Sequence, residues 1–92
     1  MRVHFDPATN GRNVRDRELS FESAADFDFD TALIYVDERQ DYGEARYVAL
    51  GLLDGRLHIL CFTETSDGIR VISFRKANSR EVIRYAKVQS SR

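Results

Sequence analysis

Apolar positions along the 92-residue chain change spacing twice, giving a helical first third, a strand-rich middle and a helical end. Val3-His4-Phe5 reads as a short strand. Asp6-Pro7 opens a helix expected to run to about Arg17: Asp suits the N-cap, and Pro in the first turn gives up no hydrogen bond the helix needs. Gly11 weakens that helix somewhat. Ser20 is the next N-cap, with Leu19 set to staple against Ala24. A second helix over Phe21–Phe27 would bury Phe21, Ala24, Ala25 and Phe27 or Phe29.

From Thr31 the pattern becomes extended. Ala32–Val36 and Ala45–Leu53 are strand candidates separated by the polar stretch Asp37–Gly43. Asp54-Gly55 is a two-residue hairpin signal, since a type I′ turn needs positive φ at both central positions. The returning strand, Arg56–Thr63, contains LHILCF, apolar on both faces as a central strand is. After a turn at Thr65–Gly68, Ile69 to Arg75 or Lys76 forms the last strand. If Ile72 and Phe74 face the helices, Ser73 and Arg75 point the other way, together with Val71. Asn78 caps a final helix and Glu81, three residues on, completes a capping box. Val82, Ile83, Ala86 and Tyr85 should dock this helix, leaving Arg80, Arg84 and Lys87 as an exposed stripe. The expected order is βααββββα. This is an α+β domain, mainly an antiparallel meander with helices mostly on one face, spanning residues 1–88 with a disordered tail at 89–92.

A single domain of this length buries roughly 60–65% of its unfolded surface. The single cysteine, Cys61, permits no intrachain disulfide, and MRVHFDPATN lacks the apolar stretch of a secretory signal. No apolar run approaches the roughly 20 residues that span a bilayer. A cytoplasmic protein without membrane association is the expectation. The net charge of −1 conceals an asymmetry: residues 1–68 carry 7 Lys/Arg against 14 Asp/Glu, and residues 69–92 carry 7 Lys/Arg against Glu81 alone. A basic end of this kind suits a polyanion or an acidic partner. It equally suits pairing with the acidic remainder of the same fold.

Candidate chemistry is sparse outside that end. His4 and His58 lack metal-ligand spacing, Cys61 sits in an apolar strand, and there is neither a Gly-rich phosphate loop nor a nucleophile elbow. Arg75, Lys76 and Arg80 could converge on one phosphate beside the helix N-terminus, where guanidinium groups bind bidentately. In phosphodiester cleavage such groups stabilise charge developing on the phosphorane, and Glu81 or Tyr85 could move protons. The alternative pairs Arg75 and Arg80 with acids such as Glu44 or Glu64.

Read together, FDP at 5–7, Asn13, SFE at 20–22, DYGEARYVALG at 41–51, GR at 55–56, TE at 63–64 and IRVISFRKANSREVIRYA at 69–86 resemble the BrnT family of type II toxins. The resemblance implies a small RelE-like domain and a metal-free, cofactor-free endoribonuclease that cuts RNA and arrests bacterial growth. It also implies a BrnA-like ribbon-helix-helix antitoxin, in a heterotetramer that reaches DNA only through the antitoxin and represses its own operon. Arg75, Arg46, Glu81 and Tyr85 map to catalytic positions, with Arg75 the first choice for phosphate stabilisation. Arg70, Lys76 and Arg80 are the candidate RNA-phosphate contacts. The antitoxin surface is expected over Tyr42–Tyr47 or the last helix. Three basic family positions differ here. Thr9 stands where Lys is common, Asp16-Arg17-Glu18 stands where Lys-His-Gly is usual, and Thr65 replaces an Arg. Those departures support a second reading, a weakly active or inactive binding module that works through the antitoxin complex in operon repression.

Overall fold

A computed structural model describes residues 1–91 of the chain. Its elements are β1 (Arg2–His4), α1 (Pro7–Arg17), a 3-10 helix (Phe21–Asp26), β2 (Asp28–Val36), β3 (Tyr47–Leu53), β4 (Arg56–Thr65), β5 (Gly68–Lys76) and α2 (Ser79–Ser90). Local chemistry sets several of these boundaries. The Asp6 carboxylate accepts from the Thr9 amide at 3.1 Å and starts α1. Asp54 and Gly55 have φ of 50° and 76°, as a type I′ turn requires. Asn78 and Glu81 form a complete capping box at the start of α2.

The five strands make one sheet in the order β1-β5-β4-β3-β2. Strands β2 to β5 are antiparallel neighbours, but β1 lies parallel to β5 through Arg2–Gly68, Val3–Ile69 and His4–Arg70. The sheet is therefore mixed, not the antiparallel meander expected. The first strand crosses past α1 and the 3-10 helix and pairs with the last strand rather than the next. The second helix also differs. Phe21, Ala24 and Phe27 are all buried at intervals of three. A three-residue turn puts such positions in one line, which favours 3-10 over α geometry. Gly68 is required at the β1 junction, because a Cβ there would strike the Arg2 backbone. Gly68→Ala is expected to detach β1 and lower the melting temperature by several degrees, about 1–3 kcal/mol. A melt coinciding with wild type would contradict that close approach.

The 3-10 helix and α2 lie on opposite faces of the sheet. On the first face, the 3-10 helix packs Phe21 and Ala24 against Leu60, Phe62, Val71 and Phe74. On the second, α2 lays Tyr85 over a smaller cluster of Val48, Leu50, Leu57 and Ile59, joined by Ala77. Val82 and Ile83, expected to dock α2, are 46% and 58% exposed. The helix is held by polar ties instead: Tyr85 Oη and Gln89 Nε2 both donate to the Thr31 carbonyl, at 3.1 and 3.0 Å. The last of these ties carries α2 through Ser90, so residues 89 and 90 are helical where a disordered tail was expected. Residue 92 lies outside the described residues. Among the described residues no helix is long and apolar enough to cross a membrane.

Candidate functional site

A bulge in β5 decides what faces the second side of the sheet. Cys61 pairs with Ser73 while Phe62 pairs with Val71, so Ile72 is the extra residue. Val71 and Phe74 consequently both enter the first core, at 3% and 0% exposure, and it is Val71, not Ile72, that joins Phe74 there. Ser73 and Arg75 project to the second face, as expected. With Cys61 and Ile59 of β4, Val48 of β3, Tyr35 of β2, the segment Val36–Arg39 and Glu81 of α2, they line an open cleft of about 640 Å³.

One ion pair dominates its chemistry. Arg75 Nη1 and Nη2 donate to Glu81 Oε1 and Oε2, each at 2.8 Å, a two-point fork. Glu81 Oε1 also accepts from the Asn78 amide at 2.8 Å, so one carboxylate caps the helix and orients the arginine. The Arg75 hydrogen bonds, helped by the Asn78 amide and opposed by burial, pull the Glu81 carboxyl from 4.5 to about 2. The same contact raises the Arg75 guanidinium further above its ordinary value. Across the cleft, Arg39 Nε and Nη2 donate to Asp37 Oδ1 and Oδ2 at 2.8 and 2.7 Å, and Tyr42 Oη donates to Asp37 at 3.0 Å. Arg39 is the main cause holding the Asp37 carboxyl far below the usual carboxylate range, again against burial. Sequence reasoning missed Asp37 and Arg39. The D-x-R spacing was their only signal, in a stretch read as a polar loop.

Because the Glu81 carboxyl is depressed on folding, its stabilising effect is present above pH 4.5 and is lost as pH falls toward 2. Glu81→Gln keeps an acceptor for the Asn78 amide but removes the charge. Its stability curve should run below wild type near pH 7 and converge with it near pH 2. Parallel curves across that window would rule out the Arg75 pair as the cause.

The other sequence-predicted residues are dispersed around this pair. Lys76 shares a shallow crevice with Arg17 and Arg75, and Arg80 shares another with Asn78, Glu81 and Arg84. Arg75, Lys76 and Arg80 thus line neighbouring depressions that meet at the Arg75–Glu81 pair, not a single pocket. Arg70 donates to Glu44 at 2.9 Å, so the acid foreseen for Arg75 is taken by Arg70. Arg46 stacks on the Tyr42 ring, 4.0 Å from its centroid, and its carbonyl accepts from the Asp37 amide at 2.7 Å. It braces the loop that carries Asp37 and Arg39. Its buried Nε and the buried Thr63 hydroxyl meet no hydrogen-bond partner among the described residues. Tyr85 lies under α2, outside the cleft lining.

The departures from the family pattern lie mostly away from the cleft. Thr9, Asp16 and Arg17 line a depression of about 180 Å³ between α1 and β5. Glu18 ends α1 with φ 55°, the left-handed conformation that the usual Gly takes freely. The Thr65 hydroxyl donates to Asp67 at 3.1 Å in the β4–β5 turn. Only Arg17 reaches toward Arg75. Among the described residues no group of three His, Cys, Asp or Glu stands together as a metal site.

A forked contact between Arg75 of β5 and Glu81 of α2 on the wall of an open cleft marks this small α+β domain. Residues 5–81 match the family described as the ribonuclease toxin BrnT of type II toxin-antitoxin systems, and the chain belongs to that family. No curated protein matches the chain. A type II toxin has a protein antitoxin as its partner.

Proposed function

We propose that the chain is a metal-independent endoribonuclease toxin with a RelE-like fold, acting on RNA in the bacterial cytoplasm through the Arg75 cleft. A BrnA-like ribbon-helix-helix antitoxin restrains it, and the toxin reaches DNA only within that complex. The observation that carries the reading is the forked Arg75–Glu81 contact on the cleft wall. A phosphodiester offers the same two oxygens to the same fork. When RNA takes Arg75, the guanidinium neutralises the charge that grows on the phosphorane. Glu81, released, returns toward its ordinary value and accepts the proton of the attacking 2′-hydroxyl. The departing 5′-oxygen is protonated from solvent at the open cleft mouth. Arg70, Lys76 and Arg80 surround this point as candidate contacts for neighbouring phosphates, and Arg46 acts through the loop it braces.

The neutralisation of Arg39 by Asp37 and of Arg75 by Glu81 favours a second reading, a BrnT-like binding module of weak or absent nuclease activity that serves operon repression. Induced expression with and without the antitoxin, followed by RNA integrity analysis, separates the two. Fragmented RNA and arrest relieved by the antitoxin support the first. Intact RNA with a formed repressor complex supports the second.

A further inference from the structure

β2 is an edge strand, with no further strand beside it among the described residues. Over its first half that edge is blunted. Pairing with β3 slips between Asp28 and Leu33, and the Thr31 carbonyl is taken by α2. Over Leu33–Val36 no such device is present among the described residues. Ile34, Tyr35 and Val36 stand 47%, 48% and 47% exposed, three apolar side chains in a row. Edge strands are ordinarily protected by Lys, Pro or a bulge, and this stretch has none. It also leads directly into the site, since Tyr35, Val36 and Asp37 form one wall of the cleft.

Charge narrows the choice of what covers it. Asp28 and Asp30 precede the open stretch; Asp37, Glu38 and Asp41 follow it, and the cation among them, Arg39, is forked to Asp37. A second copy pairing antiparallel about Leu33–Val36 would bring Asp28 against the copy's Asp41, and the net-acidic segment before the open stretch against the net-acidic segment after it. An extended segment with Lys or Arg at both ends of an alternating apolar core meets opposite charge at each end. We propose that the antitoxin adds such a segment to β2 as a sixth strand over Leu33–Val36, and that the added strand overhangs the Arg75 cleft and keeps RNA out. Main-chain hydrogen bonds to the edge supply affinity. Specificity comes from alternate side chains, one set beside Ile34 in the groove it forms with Tyr47, Phe62 and Glu64, the other over Tyr35 at the cleft mouth. This proposal rests on the toxin reading and centres the partner on the β2 edge, meeting the expected Tyr42–Tyr47 surface at Tyr47 and leaving α2 uncovered.

The test titrates the purified antitoxin of the same operon into the full chain. Amide exchange at residues 33–36 should slow by about tenfold or more in the complex. Ile34→Lys should weaken binding by about 30-fold, while melting temperature and the free chain's RNA cleavage stay at wild-type values. Ile83→Lys on α2 should leave affinity within about twofold. Unchanged exchange at 33–36 in a formed complex, or wild-type affinity of Ile34→Lys, overturns the docking site and leaves the toxin reading standing. Protection there that rises with chain concentration without antitoxin marks self-pairing and overturns it too. Absence of any complex overturns both. A complex with these properties and no RNA cleavage by the free chain supports the docking site and sinks the nuclease reading alone.

Discussion

Arg75→Ala is expected to lower the rate of RNA cleavage by about 10²- to 10³-fold, the loss seen when one preorganised donor to a developing oxyanion is removed. The side chain is 36% exposed and enters neither core cluster, so the variant should still melt in one cooperative transition. Arg75→Lys separates charge from geometry. It restores a cation but not the planar fork that meets Glu81 at two points, so it should recover only part of the lost rate. Cells expressing Arg75→Ala should grow as if uninduced. If this variant arrests growth as the wild type does, Arg75 has no part in the chemistry.

Phe74→Ala carries the largest expected effect on stability, about 3–5 kcal/mol. Phe74 is fully buried in the first core. Its ring stands edge-on to Phe27 with centroids 6.1 Å apart, and the His58 ring lies 5.6 Å away. A domain of this size has about 5–15 kcal/mol in all, so the variant should melt more than about 12 °C lower. The backbone around it is also a junction, since Asn13 Nδ2 donates at 2.9 Å to both the Phe74 and Leu19 carbonyls and ties α1 to β5. Because Arg75 is the next residue on the opposite face, RNA cleavage should fall in step with the folded fraction. A Phe74→Ala protein melting within a few degrees of wild type would show that this core is not what holds β5 in place.

The contrast between Phe74 and Val71 shows how far the chain could be read. Strong local signals carried through: the Asp6 and Asn78 caps, the Asp54-Gly55 turn and the inward Phe74 all follow from side chains acting on their own backbone within a few residues. The β5 bulge did not, because the register slip at Cys61–Phe62 is a property of two strands together. The parallel β1–β5 pairing was hidden for the same reason, with three residues carrying the signal across most of the chain. At the site, Arg75 and Glu81 were recognised separately as a cation and a capping carboxylate. Their pairing depends on how α2 returns over the sheet, which no spacing in the sequence encodes. Arg39–Asp37 was lost in a segment whose polarity resembles that of any loop.

That pairing also offers a direct check on the claim that RNA displaces Glu81 from Arg75. The Glu81 side-chain carboxyl can be titrated by carbon NMR in the free protein and with saturating RNA oligonucleotide whose 2′-hydroxyls are methylated to block cleavage. In the free protein it should titrate at about 2. In the complex, with Arg75 on phosphate, it should rise toward 4.5, while RNA binding leaves the Asp37 carboxyl where it was. A Glu81 carboxyl that still titrates at about 2 with the oligonucleotide bound would mean that Arg75 never leaves it, and that the phosphate is held elsewhere.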